Sequence, residues 1–407
     1  MKILWVKAGG LVPPDTGGKI RSYNILRELA RQHSVTFFSF YAAHDNDLHP
    51  DLKNIFDGVV CMPLSLPAPK SLAEMFDYGV RLLSPQPYNI TKYCRPDVRR
   101  RLHALLQQET YDVILCDFMA AAGVIPWDHP TPKVLFTHNV EATIWRRHYE
   151  VATNLIWKAI SWQEWRKMEA AERRYLRLAD HVLTVSETDR DAFLPFVNPE
   201  KLTVIPTGVD VDYFRPMPVD ETADSLVFTG SMDWLPNEDA IFYFVGSVLP
   251  LIQQQCPNVS LEVVGRSPSR KLQALAETEK SLRLTGWVED IRPFVARGSV
   301  CIVPLRVGGG TRLKIFEAMA MSKAVASTSV GAEGLPVRTG ENILLADTPR
   351  DFAEAVVNLL RDPKRRKQLG TAARTLVQEK YSWQKVTENF ARTLTDVVIL
   401  HSSMPRG

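Results

Sequence analysis

Val300-Cys301-Ile302-Val303-Pro304, followed after three residues by Gly308-Gly309-Gly310-Thr311-Arg312-Leu313-Lys314-Ile315-Phe316-Glu317-Ala318-Met319-Ala320-Met321, is the stretch that decides the fold. The first run is short and apolar and reads as a buried strand. Three glycines then open a helix with Leu313, Phe316 and Ala320 at helical spacing. Glycine lets a ligand approach the backbone, and the first turn of a helix offers unpaired N–H groups and a positive dipole end. Arg312 and Lys314 add two cations beside that turn. Glu317 stands one turn further in, where a carboxylate accepts hydrogen bonds from sugar hydroxyls. Such a site suits a phosphate next to a ribose or hexose. The plainer alternative is a tight strand-to-helix turn with Lys314 and Glu317 as a surface i,i+3 pair. The backbone entropy of three glycines, and a loop position after a parallel strand, weigh against it.

Outward from this segment, short apolar runs alternate with longer amphipathic ones, the pattern of parallel sheets with crossover helices. In the first half strands are expected at 2–6, 34–40, 58–62, 112–116, 133–137, 181–185 and 202–205, and helices at 19–32, 95–109, 141–150, 153–178 and 187–196. A second series expects strands near 225–229, 259–264, 282–285, 299–303, 323–327 and 342–345, and helices near 237–253, 268–278, 289–297, 312–321, 350–361 and 364–379. The expected organisation is a Rossmann-like α/β domain over 1–210, a proline-bearing linker over 211–224, a second such domain over 225–381, and a helix and tail over 382–407. The two domains are expected to face each other across a cleft, with the last helix crossing back to the first domain. The region 65–95 carries no readable code and reads as loops.

A second glycine loop, Pro13-Pro14-Asp15-Thr16-Gly17-Gly18-Lys19-Ile20-Arg21, follows the first strand and opens the first helix. It is neither a G-x-G-x-x-G fingerprint nor a GxxxxGK[ST] loop. His138, in Phe136-Thr137-His138-Asn139, lies at a strand's carboxyl end, where open α/β sheets bind ligands. Ser186, three residues before Asp189, reads as a helix cap. Asp210-Val211-Asp212 and Asp45-Asn46-Asp47 match a D-x-D pattern too short to make a metal site, and no metal is expected.

At 407 residues, 45% hydrophobic and 23% charged, the chain has room for two cores, and a formal charge of +3 argues against wholesale nucleic-acid binding. No stretch is long and apolar enough to cross a bilayer, and the first strand is too short for a signal peptide. Five cysteines without C-x-x-C spacing fit a reducing cytoplasm. A helix carrying Trp157, Trp162 and Trp165 with many basic residues reads first as core packing with a solvated face. It leaves open a peripheral contact with the inner face of a membrane.

These residues together resemble the retaining glycosyltransferases of family 4 (group 1), which have the two-domain GT-B fold. The resemblance covers nearly the whole chain. It rests on Gly17-Gly18, Thr137-His138-Asn139, Thr184-Val185-Ser186-Glu187, Val204-Ile205-Pro206-Thr207-Gly208-Val209-Asp210, Phe228-Thr229-Gly230-Ser231-Met232, Val263-Val264-Gly265, Thr285-Gly286-Trp287-Val288-Glu289-Asp290 and Gly310 to Ala320. The Pro13 to Arg21 segment is similar to that of bacterial exopolysaccharide-type sugar transferases. The resemblance implies transfer of a hexose from a UDP-, GDP- or ADP-sugar to a saccharide or lipid-linked acceptor, without a cofactor.

It further implies that Glu317 binds the ribose hydroxyls, that Trp287-Val288 forms the base-binding loop, and that Gly17 and Gly18 lie beside the distal phosphate. Gly230, Gly309, Gly310, Thr311 and Leu313 are implied to line the donor, with Arg312 and Lys314 neutralising the diphosphate and His138 beside the donor sugar. Two positions depart from the family pattern. Gly309 stands where a first glutamate is usual, and Ser231 to Asn237 lacks the usual basic pair. A nucleotide-sugar epimerase on the same fold and a non-catalytic nucleotide- or saccharide-binding module are the alternatives.

Overall fold

The structure is a computed structural model that describes residues 1–14, 16–42, 51–68, 71–152, 154–307 and 313–403. The chain divides into two compact units, one of Met1–Pro206 with Val386–Gly407 and one of Thr207–Lys385.

The strands of the first unit are β1 (Lys2–Ala8), β2 (Ser34–Ala42), β3 (Gly58–Leu64), β4 (Val113–Asp117), β5 (Lys133–Phe136), β6 (His181–Thr184) and β7 (Leu202–Val204). Its helices are α1 (Gly17–Leu29), α2 (Leu72–Arg81), α3 (Tyr88–Thr91), α4 (Pro96–Gln108), α5 (Glu141–Val151), α6 (Leu155–Leu178) and α7 (Glu187–Phe193). Among the described residues these strands form one parallel sheet in the order β3-β2-β1-β4-β5-β6-β7. Strand order reverses between β1 and β4, the position at which open α/β sheets leave a crevice beyond the carboxyl ends. Continuous apolar runs such as Ile3 to Val6 and Val113 to Cys116 are fully buried, as expected for strands covered on both faces.

The second unit holds β8 (Ser225–Thr229), β9 (Ser260–Val264), β10 (Leu282–Gly286), β11 (Val300–Val303), β12 (Val325–Ser327) and β13 (Leu344–Leu345). Its helices are α8 (Leu235–Tyr243), α9 (Leu249–Gln253), α10 (Arg270–Thr278), α11 (Arg292–Arg297), α12 (Leu313–Ala320), α13 (Pro349–Arg361) and α14 (Pro363–Lys380). A π-helical turn, Phe244–Val248, joins α8 to α9. The sheet order is β10-β9-β8-β11-β12-β13, parallel throughout, with its reversal between β8 and β11. Both units therefore have the α/β architecture expected from the alternating runs.

The segment read as a linker lies against the second unit. Phe214 and Met217 pack on its core, and Glu221 pairs with Lys323 and Arg366. The last helix, α15 (Trp383–Ser403), contributes Val386 onward to the first unit. There Phe390 stacks on Trp5 at 5.7 Å and meets Phe136 edge-on at 5.3 Å.

Two regions differ from expectation. Residues 72–81, expected as loop, are helical: Ser71 Oγ caps the Glu74 N–H at 3.1 Å, and the apolar residues repeat at helical spacing. On α6, Trp165 packs against the core, whereas Trp157 and Trp162 stay exposed. Cys116 and Cys301 are buried, and burial pushes the Cys301 thiol up to about 12.

Candidate functional site

In the first unit the switch point is filled by a charged cluster. Lys7 and Asp117 are register partners on β1 and β4. Asp117 is fully buried, and its Oδ2 accepts from Lys7 Nζ at 3.0 Å, Ser22 Oγ at 2.7 Å and Trp5 Nε1 at 3.0 Å. Its Oδ1 faces His138 Nε2 at 2.9 Å. Burial alone would raise this carboxyl, but Lys7, His138 and Ser22 together hold it well below the usual carboxylate range.

The other ring nitrogen, His138 Nδ1, lies 2.9 Å from Arg21 Nη1. A guanidinium can only donate, so Nδ1 carries no proton and Nε2–H donates to Asp117. Burial, with the charges of Arg21 and Lys7, lowers His138 to about 3 and keeps it neutral. Burial lowers Arg21 to about 10 against the opposing charges of Asp189 and Asp117.

Phe118 stacks on the imidazole at 3.8 Å, and the Lys7 ammonium lies 4.7 Å from the Phe118 ring centroid. Phe118 holds a left-handed backbone, φ 70°, which an ordinary side chain adopts only under constraint. A Cβ on Gly18 would fall 2.6 Å from Phe118 Cζ, so this glycine is required by a protein ring. Around Gly17 the space is open. Ser186 caps α7, accepting from the Asp189 N–H at 3.1 Å.

In the second unit the switch point is built on clearance. Gly230 follows β8 with φ 153°, and a Cβ there would meet Lys314 Nζ at 2.6 Å and Asn237 Nδ2 at 2.7 Å. Its neighbour Gly265 is equally constrained, since a Cβ would fall 1.8 Å from the Gly230 carbonyl oxygen. Lys314, on α12, donates to Asn237 Oδ1 at 2.8 Å and sits 4.0 Å over the Phe228 ring. Asn237 Nδ2 in turn donates to the Ser231 carbonyl at 2.8 Å. Glu317 follows on the same helix, and burial, opposed by Lys314, raises its carboxyl to about 7.

The loop from Ser231 to Asn237 carries no basic residue of its own, but the loop after β9 supplies one: Arg266 Nε donates to Ser231 Oγ at 2.9 Å. Leu313 is half-buried at the start of α12. Trp287 is 73% exposed beside Gly286 (φ 68°), and Val288 packs on the core. Gly309, Gly310, Thr311 and Arg312, with Gly308, lie outside the described residues, as do Asp45, Asn46 and Asp47. Asp210 Oδ1 accepts from the backbone N–H of Asp212 and of Tyr213, forming a turn. Among the described residues no group of three or more His, Cys, Asp or Glu could hold a metal ion.

The structure thus brings Gly230, Lys314 and Glu317 together in one unit, and Gly18 with His138 in the other. Sequence reasoning missed Lys7, Asp117 and Phe118. A lysine and an aspartate ending two apolar strands of one sheet were the available signal. Asn237 and Arg266 carry no such mark, because each becomes relevant only through the packing of β8, β9 and α12.

Two family models match the chain. One, described as Glycosyltransferase Family 4, covers residues 16–213, and the other, described as Glycosyl transferases group 1, covers residues 223–362. An uncharacterized 44.6 kDa protein in the cps region of Klebsiella pneumoniae is 21% identical over 71% of this chain and 75% of its own length. The MMP alpha-(1->4)-mannosyltransferase of Mycolicibacterium hassiacum is 26% identical over 59% of this chain, which spans 60% of that relative. Among solved structures, HepE of Anabaena in complex with UDP has TM-score 0.67 and 15% identity, covering 97% of this chain and all of its own. Sucrose-phosphate synthase from Thermosynechococcus elongatus has TM-score 0.69 and 18% identity, covering 98% of this chain and all of its own.

Proposed function

The chain belongs to the group 1 and family 4 glycosyltransferases, with the GT-B fold, and on that premise we propose that it is a retaining hexosyltransferase. In this reading the second unit takes a nucleotide diphosphate sugar, and the first selects a saccharide or lipid-linked acceptor. The observation that carries it is the Lys314 ammonium lodged beside Gly230 at the reversal of the second sheet, with Glu317 on the same helix face. The UDP complex of HepE supports a uridine diphosphate donor, and a relative in a bacterial cps region accords with the assigned role in bacterial polysaccharide synthesis.

Breaking the anomeric bond leaves growing negative charge on the departing diphosphate. Lys314, Arg312 and the amides of Gly310 and Thr311 are assigned to stabilise that charge, and Glu317 to hold the ribose hydroxyls. Leu313 and Gly309 are likewise assigned to the donor, Trp287 and Val288 to the base, and Gly17 and Gly18 to the distal phosphate. The leaving oxygen takes the acceptor proton on the face it vacates, which preserves the anomeric configuration. His138 keeps an orienting role: its proton is committed to Asp117 and its lone pair to Arg21, so it fixes neighbours and does not shuttle a proton. Diphosphate neutralisation is assigned to side chains and not to a metal ion.

A thermal-shift screen against UDP-, GDP- and ADP-sugars should single out one donor class, since ligand binding raises the unfolding midpoint. Transfer with that donor should yield product of unchanged anomeric configuration by NMR and persist in EDTA. Product of inverted configuration, or loss of activity on chelation, would overturn the corresponding assignment.

A further inference from the structure

Helix α2 is inside out. Leu72, Met75, Phe76 and Val80 fall on one side at i, i+3, i+4 and i+8, with Leu83 in the turn just past the helix end, yet they are exposed: Phe76 by 75% and Leu83 by 93%. The opposite face, which lies against the protein, is polar. Asp77 holds Arg81 Nε at 3.0 Å and receives Tyr88 Oη at 3.1 Å, while Arg81 Nη1 donates to the Thr91 carbonyl at 2.7 Å. No residue of the helix is buried. A water-soluble surface helix is expected to point the other way, so the apolar side is made for something besides this chain's own core.

The surroundings say what it suits. Gln163 Nε2 and Lys167 Nζ both donate to the Leu82 carbonyl, at 2.9 and 2.6 Å, which ties the end of α2 to the middle of α6. The neighbouring part of α6 exposes Leu155, Ile156 and Trp162. The cations here are the exposed Arg146 and Arg147 on α5, the exposed Arg166 and Arg173 on α6 with the half-buried Lys158, and Arg81 on α2. Arg146 pairs with Glu150, Arg166 and Arg173 share Glu169, Arg81 pairs with Asp77, and Glu74 is the remaining acid of α2. Apolar side chains, an exposed tryptophan and an excess of arginine are the composition of a helix lying in a bilayer interface. No helix among the described residues is long and apolar enough to cross a membrane, so the contact would lie on the surface.

We propose that α2 and the first turns of α6 dock this chain onto an anionic lipid bilayer, with the α2 apolar face in the headgroup–acyl boundary. This goes beyond the transfer reaction and stands independently of it. Each basic side chain near such a surface adds about a fivefold gain in partitioning, so anionic vesicles should be bound at least about tenfold more tightly than neutral ones.

The test is flotation of the full chain with phosphatidylcholine vesicles, with and without phosphatidylglycerol. The wild type should float with the anionic vesicles and much less with the neutral ones. Phe76→Asp combined with Leu83→Asp should lower vesicle binding at least about tenfold, because apolar area drives insertion. Both residues are exposed, so the thermal midpoint should be unchanged. Arg147→Glu with Arg166→Glu should remove the anionic preference alone. Absence of vesicle binding, equal binding to both vesicles, or binding unaffected by the Asp variants would overturn the proposal. Light scattering that finds a dimer dissolved by the Asp variants, without vesicle binding, would assign the face to a second copy instead.

Discussion

The two sheets reverse their strand order in the same way and fill the resulting crevices oppositely. Beyond β1 and β4 the charges are saturated: one buried carboxylate gathers a lysine, a serine, an indole and a histidine, and the histidine's remaining nitrogen takes an arginine. Beyond β8 and β11 the chain removes side chains to let a cation stand at the loop, with Gly230 and Gly265 cleared and Lys314 resting on a ring and an amide. Charge alone therefore does not mark a ligand site. A lysine whose carboxylate is shared with a serine, an indole and a histidine rigidifies a crevice, whereas Lys314 stands at a loop that Gly230 and Gly265 clear of side chains.

Asp117→Ala breaks the comparison most severely, because it strands Lys7 in the interior. A loss of about 3–5 kcal/mol is expected in urea denaturation, the cost of an uncompensated buried charge. The wild-type network should also weaken in acid. Unfolded His138 takes a proton below its ordinary value of 6.5, which the folded ring refuses until about 3. Asp117, held low, adds a second loss further down. Because the raised carboxyls of Glu317 and Glu172 gain stability as pH falls over the same range, the readout is the difference from His138→Gln: a wild type that parallels this variant between pH 6.5 and 4 would contradict the assignment.

Lys314→Ala should act the other way. Transfer should fall about 10²–10³-fold, the effect of losing one preorganised donor to a developing oxyanion, with the unfolding midpoint little changed. Should kcat fall no further than nucleotide affinity, Lys314 binds the ground state only.

A glycine pair sharpens the contrast. Gly18→Ala forces a methyl into Phe118 and should cost about 1–3 kcal/mol by overpacking. Gly17→Ala points into open space and should stay within about 0.5 kcal/mol. Similar losses in both would place the strain in the loop backbone instead.

A smaller shift than that of Gly18→Ala belongs to Glu317. Its folded carboxyl is raised to about 7, so the folded state binds the proton more tightly and stability falls as pH rises from 4.5 through 7. Glu317→Gln should remove that slope and stabilise the chain by about 1–2 kcal/mol at pH 8, as read by denaturation at pH 5 and 8. Nucleotide affinity should fall in the same variant if the carboxylate meets ribose.

Alternating runs made both sheets legible, because strands covered on two faces must be apolar throughout, as Ile3 to Val6 and Val300 to Val303 are. Lys314 and Glu317 were legible for a local reason: their spacing on one helix follows from the sequence. Asp117 and Arg266 were not, since their partners lie on other strands and helices. Helix α2 was missed for a different reason. Its apolar period was present, but it sits in a stretch rich in proline and serine, and its apolar face meets no core.

The helix α15 has a consequence for how the chain is made. The first unit is discontinuous in sequence, since Phe390 must reach Trp5 and Phe136 to complete its aromatic cluster, whereas Thr207–Lys385 is one unbroken stretch. During synthesis the later half can therefore finish folding while the earlier half still waits for the last residues to leave the ribosome, reversing the usual N-to-C order. A chain arrested with residues up to Lys385 outside the ribosome and Val386 onward still inside should carry a protease-resistant second half and an indole at position 5 still open to solvent quenchers.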